Sequence, residues 1–150
     1  MSERMDIFHL EPGGYKAMAG LERYLAQSPI PGPLLHLVKL RASQINGCSY
    51  CVDMHSREAR DSGETDARLW QVVAWQEAPC FTEEERAALA LTEAATLLPN
   101  GGDRVPDEIW ATAAKYFDEH TLAALVYAIA TINAWNRICV ATHQIPESFK

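Results

Sequence analysis

The sequence predicts an all-α fold, a single-domain helical bundle spanning residues 1–150. Three observations carry that reading. Apolar residues recur at spacings of three and four along most of the chain. Proline, glycine and capping residues cut it into helix-length segments. No segment alternates apolar and polar residues with the period of two that a half-buried strand requires.

Gly13-Gly14 precedes a predicted helix over Tyr15–Gln27, with Met18, Leu21, Tyr24 and Leu25 on one face. The run Ser28-Pro29-Ile30-Pro31-Gly32-Pro33 ends it, because proline disfavours helix both at itself and at the residue before it. A second helix is predicted from Leu34 to Gln44, aligning Leu34, Leu37 and Val38. Asn46-Gly47 is a turn dipeptide and Asn a good N-cap, so a third helix is expected to start there and run to about Asp61, stopped by Ser62-Gly63. Thr65-Asp66 caps a fourth, carrying Leu69, Val72, Val73 and Trp75.

Thr82-Glu83-Glu84-Glu85 has the spacing of a capping box and opens a fifth helix to about Leu98. Pro99-Asn100-Gly101-Gly102-Asp103 reads as a loop, and Pro106 suits the first turn of a sixth helix through Ile109, Trp110 and Phe117. A last helix is expected over Thr121–Thr142, before Ile145-Pro146. There is no internal repeat and no low-complexity tract.

A chain of 150 residues with 48% hydrophobic and 22% charged residues is globular in composition and long enough to bury a core. The formal net charge of −7, with no basic stripe, argues against nucleic acid, whose phosphates need clustered cations. No uninterrupted apolar run approaches the roughly 20 residues of a membrane span. The N-terminal residues have neither the basic start nor the apolar stretch of a secretory signal. A cytoplasmic protein without a membrane partner is therefore expected. In that reducing setting, closely spaced cysteines read as metal-binding or redox-catalytic.

Cys48-Ser49-Tyr50-Cys51-Val52-Asp53-Met54-His55 is the most informative segment. On a helix, Cys48, Cys51 and His55 share a face. Two thiols at that spacing can close a disulfide, and a histidine one turn on can take a proton from Cys51. Backbone N–H groups at the helix start favour a thiolate at Cys48, whereas His55 favours one at Cys51. We take Cys51 as nucleophile and Cys48 as resolving thiol. A zinc site is the main competitor: Cys48, Cys51 and His55 are possible ligands, and Cys139 with His143 offers a second pair. Inert buried thiols are the bland alternative. A c-type haem site fails, because Val52 stands where its histidine must follow the second cysteine.

Elsewhere packing explains more than chemistry does. Cys80 reads as incidental, Cys139 and His143 as core, His9 and His120 as surface or caps, and Trp70, Trp75, Trp110 and Trp135 as core. Asn133 and Asn136 fall on an otherwise apolar face and are expected to fasten a loop or line a polar pocket. Glu93, among apolar neighbours, is either a solvated residue or a buried proton acceptor.

Leu40-Arg41-Ala42-Ser43-Gln44-Ile45-Asn46-Gly47-Cys48, then Cys51, Asp53-Met54-His55-Ser56 and Gly63-Glu64, resembles the alkylhydroperoxidase D-like group of the carboxymuconolactone decarboxylase family. Glu85-Arg86-Ala87-Ala88-Leu89, Thr92-Glu93-Ala94 and Asn133-Ala134-Trp135-Asn136-Arg137 extend the resemblance, which runs from roughly Leu34 to Arg137. It implies a helical bundle of that type, a trimer or hexamer, and a thiol-dependent peroxidase activity. One cysteine would attack the peroxide and become a sulfenic acid, and the other would resolve it as a disulfide. A thiol–disulfide electron donor protein would then re-reduce the pair.

The family's proton relay joins a glutamate, two cysteines and a histidine, with the cysteine nearer the histidine as nucleophile; Cys48, Cys51 and His55 match three of the four positions. The relay glutamate's position, twelve residues before Cys48, holds His36, and Tyr50 replaces a histidine between the cysteines. His36 and Glu93 are the candidates to orient His55, and Tyr50 to shape the pocket. The cycle requires no metal and no organic cofactor. A lyase acting on a small lactone acid, and a non-enzymatic zinc or redox-sensing module, are the competing functions. The cysteine pair tilts the reading away from the decarboxylases, which do not depend on it.

Overall fold

A computed structural model describes residues 2–98, 102 and 104–150 of the chain. Among them lie α1 (Ile7–Leu10), α2 (Pro12–Ala26), α3 (Gly32–Ile45), α4 (Ser49–Asp61), α5 (Asp66–Gln71), α6 (Glu83–Thr96), α7 (Asp107–Tyr116) and α8 (Glu119–Thr142), with short 3-10 turns at Val72–Ala74 and Glu147–Phe149. The described residues contain no strand. Apart from Gly102, the loop expected at 99–103 lies outside the described residues.

Helix α3 is the axis of the fold. It packs against α4, α6 and α8, and Leu34, Leu35, Leu37, Val38, Leu40, Ala42 and Ser43 are all buried. One apolar cluster joins Leu34, Leu35 and Val38 to Leu25, Leu91, Leu125 and Ile129. A second joins Leu37 and Leu40 to Ala59, Leu69, Val72, Trp75, Phe81 and Leu89. Each fully buried Leu or Ile contributes about 1.5–3 kcal/mol of transfer free energy, so the α3 stripe holds both halves of the core.

Most helix ends follow the local chemistry of the sequence. Thr82 and Glu85 form the expected capping box, and Thr65 caps α5 through the N–H of Arg68. Three local expectations need correction. Asn46 is not the N-cap of the third helix: it is the C-cap of α3, and Cys48 caps α4. A short α1, capped by Asp6, precedes α2, and α2 begins at Pro12, where proline's fixed φ suits a first turn.

Trp70 and Trp110 are exposed, as is Val73; of the four tryptophans only Trp75 is a buried core residue. Their stretches are amphipathic, and these side chains fall on the outer face. Finally, the segment Glu119–Phe149 containing α8 is long and apolar enough by composition to cross a membrane. Its apolar side chains Leu122, Leu125, Ile129 and Ile132 are spent on the protein core.

Candidate active site

The site is built at the corner between α3 and α4. The N–H of Gly47 donates to the Gln44 carbonyl at 3.2 Å and the N–H of Cys48 to the Ser43 carbonyl at 3.0 Å. This pair of bonds closes α3 in a Schellman motif. The motif needs a left-handed residue, and Gly47 supplies it with φ of 65°. The chain therefore turns within two residues, and Cys48 arrives as the N-cap of α4. Its Sγ accepts from the Cys51 N–H at 3.3 Å. Cys48 and Cys51 are joined as a disulfide, with Cα atoms 5.3 Å apart.

An amide lattice pins this corner to α8. Asn46 Nδ2 donates to Asn133 Oδ1 at 3.0 Å and to Asn136 Oδ1 at 2.9 Å. Asn136 Nδ2 in turn donates to Ser43 Oγ at 3.1 Å, and Asn133 Nδ2 to Thr96 Oγ1 and the Ile129 carbonyl. Asn136 is fully buried, so every bond it makes offsets a desolvation cost. Of the two roles expected for Asn133 and Asn136, loop fastening is the one observed.

His55 lies one turn beyond Cys51 and is 2% exposed. Its Nδ1 is 3.0 Å from Oε2 of Glu58, and the buried Nε2 has no hydrogen-bond partner among the described residues. With Nδ1–H donating to the carboxylate, Nε2 carries the free lone pair. The hydrogen bond from His55 holds the Glu58 carboxyl below its ordinary range, helped by the charges of His36 and Lys39.

His36 Nδ1 stands 3.8 Å from the same Glu58 oxygen, too far for a hydrogen bond. Its Nε2 meets Ser62 Oγ at 3.2 Å. Burial pushes the His36 imidazole down, against the pull of Glu58. Glu58 was missed by the sequence reading. The available signal was its place three residues after His55 on one helix, within reach of the imidazole.

Cys51 and His55 line a cleft of about 620 Å³ whose walls include Phe8, Tyr15, Tyr50, Met54 and Trp135. Phe8, Tyr15 and Trp135 pack mutually, with ring centroids 5.5–6.1 Å apart. Tyr50 shapes the same wall, and burial pushes its phenol up. Lys39, also on the lining, is buried and ion-paired with Glu22, which also accepts from Trp135 Nε1 at 3.1 Å.

Glu93 is elsewhere. Its Oε1 receives Arg41 Nη2 at 2.7 Å and Trp75 Nε1 at 2.7 Å, so it ties α3 and α6 to the Trp75 turn, and among the described residues it makes no hydrogen bond to His55. The ligand set imagined for zinc also divides. His55 groups with His36 and Glu58, whereas Cys48 and Cys51 group with Cys139. His143 is the left-handed C-cap of α8 and joins neither group. Burial raises the Cys139 thiol to about 11.

The sequence matches the carboxymuconolactone decarboxylase family over residues 12–94, more than half of the chain and the part that contains the disulfide and His55. The chain belongs to that family. Among its relatives is the uncharacterised protein YdfG of Bacillus subtilis (strain 168), 43% identical over 141 residues covering 94% of this chain and 95% of that protein. The uncharacterised protein YnjA of Escherichia coli (strain K12) is 32% identical over 71% of this chain and 57% of its own length.

Among solved structures, a protein of unknown function from Agrobacterium tumefaciens, suggested to be the antioxidant defence protein AhpD, superposes with a TM-score of 0.92 at 36% identity. It covers 97% of this chain and 98% of its own. The debrominase Bmp8 follows with a TM-score of 0.84 at 25% identity, covering 94% of this chain and 75% of its own. This carboxymuconolactone decarboxylase family member is thus of the alkylhydroperoxidase D-like kind, a disulfide-capable protein related to antioxidant proteins.

Proposed function

We propose that this protein is a thiol-dependent peroxidase that reduces organic hydroperoxides or hydrogen peroxide through Cys51, Cys48 and His55. The observation that carries the reading is a disulfide at a helix start, its Cys51 opening on a cleft beside a histidine whose Nε2 is free. Cys51 lines that cleft and Cys48 does not, which favours Cys51 as the attacking thiol.

In the reduced protein, His55 Nε2 takes the Cys51 proton and the thiolate attacks a peroxide oxygen. The O–O bond breaks, the alcohol or water leaves with a proton, and Cys51 becomes a sulfenic acid. Cys48 then forms the S–S bond as the sulfenic oxygen departs as water. The sum is ROOH plus two thiols giving ROH, water and one disulfide. Glu58 orients His55 and stabilises its protonated form, with His36 behind it; Glu93 has no part in the relay. A thiol–disulfide donor protein returns two electrons, and a reducing compartment such as the cytoplasm suits the cycle. The trimer or hexamer implied by the family resemblance belongs to the same reading.

A second reading is favoured by the aromatic walls of the cleft and by the likeness to a debrominase. The same two thiols would remove bromine from a bromoaromatic, giving the debrominated ring, one disulfide and hydrogen bromide. A lactone decarboxylase would instead survive loss of both thiols.

The deciding experiment is intact-mass analysis and peptide mapping of the reduced protein after about one equivalent of cumene hydroperoxide. A fast Cys48–Cys51 disulfide, with a sulfenic acid on Cys51 trapped in Cys48→Ser, is expected. Thiols that react no faster than Cys80 would overturn the peroxidase reading, and a bromopyrrole that oxidises the pair faster than peroxide would favour the second.

A further inference from the structure

Cys139 is used by neither reading. It projects from α8, is 3% exposed, and belongs to an apolar cluster with Cys48, Cys51, Ala42 and Ile132. Its Sγ lies within 4.8 Å of both Cys48 Sγ and Cys51 Sγ, and it lines the cleft alongside Cys51. We propose that, once a dithiol reductant has opened the Cys48–Cys51 disulfide, the three thiols form a binding site for trivalent arsenic, taken up as arsenous acid.

The geometry suits a three-sulfur centre. Bonds of about 2.3 Å from a central atom to thiolate sulfur set the sulfurs under about 4 Å apart. Opening the disulfide lets Cys48 and Cys51 part to that spacing while Cys139, already within 4.8 Å of both, closes on them from a helix packed against theirs.

The chemistry of the surroundings selects the ligand. Three thiolates on Cu(I) would leave two negative charges, and three on Zn(II) one, in an apolar cluster that penalises uncompensated charge. Arsenic(III) with three thiolates is neutral. Each S–H proton departs with one arsenic hydroxyl as water: As(OH)3 plus three thiols gives As(SR)3 plus three waters. Three As–O and three S–H bonds break, three As–S and three O–H bonds form, and arsenic stays trivalent. Buried protonated thiols are therefore suitable partners, and the cleft is the route in.

This inference is independent of the peroxidase reading, because it needs only the reduced thiols. The test is native mass spectrometry of the fully reduced, anaerobic protein with sodium arsenite, followed by alkylation mapping. The expected adduct gains one arsenic and loses three hydrogens, with Cys48, Cys51 and Cys139 shielded while Cys80 alkylates. In Cys139→Ser the adduct should retain a hydroxyl on arsenic and bind about tenfold or more weakly. Phenylarsine oxide, which takes two thiols, should bind the variant and the unmodified protein alike. The proposal is overturned if the unmodified protein holds arsenic through two thiols with Cys139 still alkylatable. That measurement needs no variant, so a Cys139→Ser protein that misfolds does not protect the idea.

Discussion

His55 Nδ1 lies 3.0 Å from Oε2 of Glu58 on the same helix, and this one contact leaves Nε2 free and buried. The carboxylate both selects the tautomer and stabilises the imidazolium formed when a thiol proton arrives. Glu58→Gln keeps an acceptor but loses the charge. Because the Glu58 side chain is 46% exposed, solvent screens much of that charge. The expected loss in the rate of peroxide-driven disulfide formation is roughly three- to tenfold, against about a hundredfold or more for His55→Ala. Single-turnover kinetics by rapid quench would read both, and equal rates for Glu58→Gln and the unmodified protein would remove Glu58 from the mechanism.

The two perturbed groups beside His55 set an acid limit on stability. Burial holds the folded His36 below its ordinary 6.5, so the unfolded chain takes up that proton first as the pH falls. The stability His36 contributes is complete above about pH 6.5 and is lost as the pH drops from there through its folded value. Glu58, held below its ordinary 4.5 chiefly by the His55 hydrogen bond, contributes above that pH and loses its share as the pH falls through its own folded value. Urea midpoints should therefore decline below pH 6.5, with a further decline below 4.5. His36→Gln should flatten the first limb and only slightly shrink the second, because the charge of His36 is a lesser part of what holds Glu58 down. An unchanged first limb in that variant would refute the assignment.

Glu93 gives the opposite signature. It is held by Arg41 and Trp75 within a mostly buried contact, so Glu93→Gln should cost stability, about 1–3 kcal/mol for a hydrogen-bonded charge partly removed from water. Peroxide-driven oxidation of Cys51 should proceed at the unmodified rate. Chemical denaturation and the same rapid-quench assay separate the two effects; a slowed chemical step in a stable variant would return Glu93 to the relay.

How much of this was legible in the sequence depends on whether the cause was local. The α6 capping box and the Ser62-Gly63 stop of α4 are written in adjacent residues, and both were readable. So was the Cys48, Cys51, His55 face, because helical spacing alone aligns it. Asn46 was misassigned because an Asn-Gly pair can open a helix or close one. The Cys48 and Gly47 amides bonding back to α3 decide for closing. The partners of Glu93 were not legible, because its apolar neighbours in sequence say nothing of Arg41, which reaches it from another helix. The approach of Cys139 to the disulfide is likewise a product of α8 packing against α4. No spacing rule connects residues so far apart in sequence.

The corner that presents Cys48 depends on Asn136, which is fully buried and bridges Asn46 and Ser43. Removing its amide leaves the Asn46 side chain and the Ser43 hydroxyl short of a partner, and unmade bonds of that kind cost more than the net worth of a formed one. Asn136→Ala should therefore lower stability by about 1–3 kcal/mol. Asn46→Ala should cost less, because that side chain is only partly buried. A double-mutant cycle should return a coupling of at least about 0.5 kcal/mol, as contacting residues do. The same lattice holds the Gly47 turn, so each variant should also slow closure of the Cys48–Cys51 disulfide after Cys51 is oxidised, which is measured as longer-lived sulfenic acid. Additive stabilities together with unchanged resolution kinetics would mean that the Schellman turn alone positions Cys48.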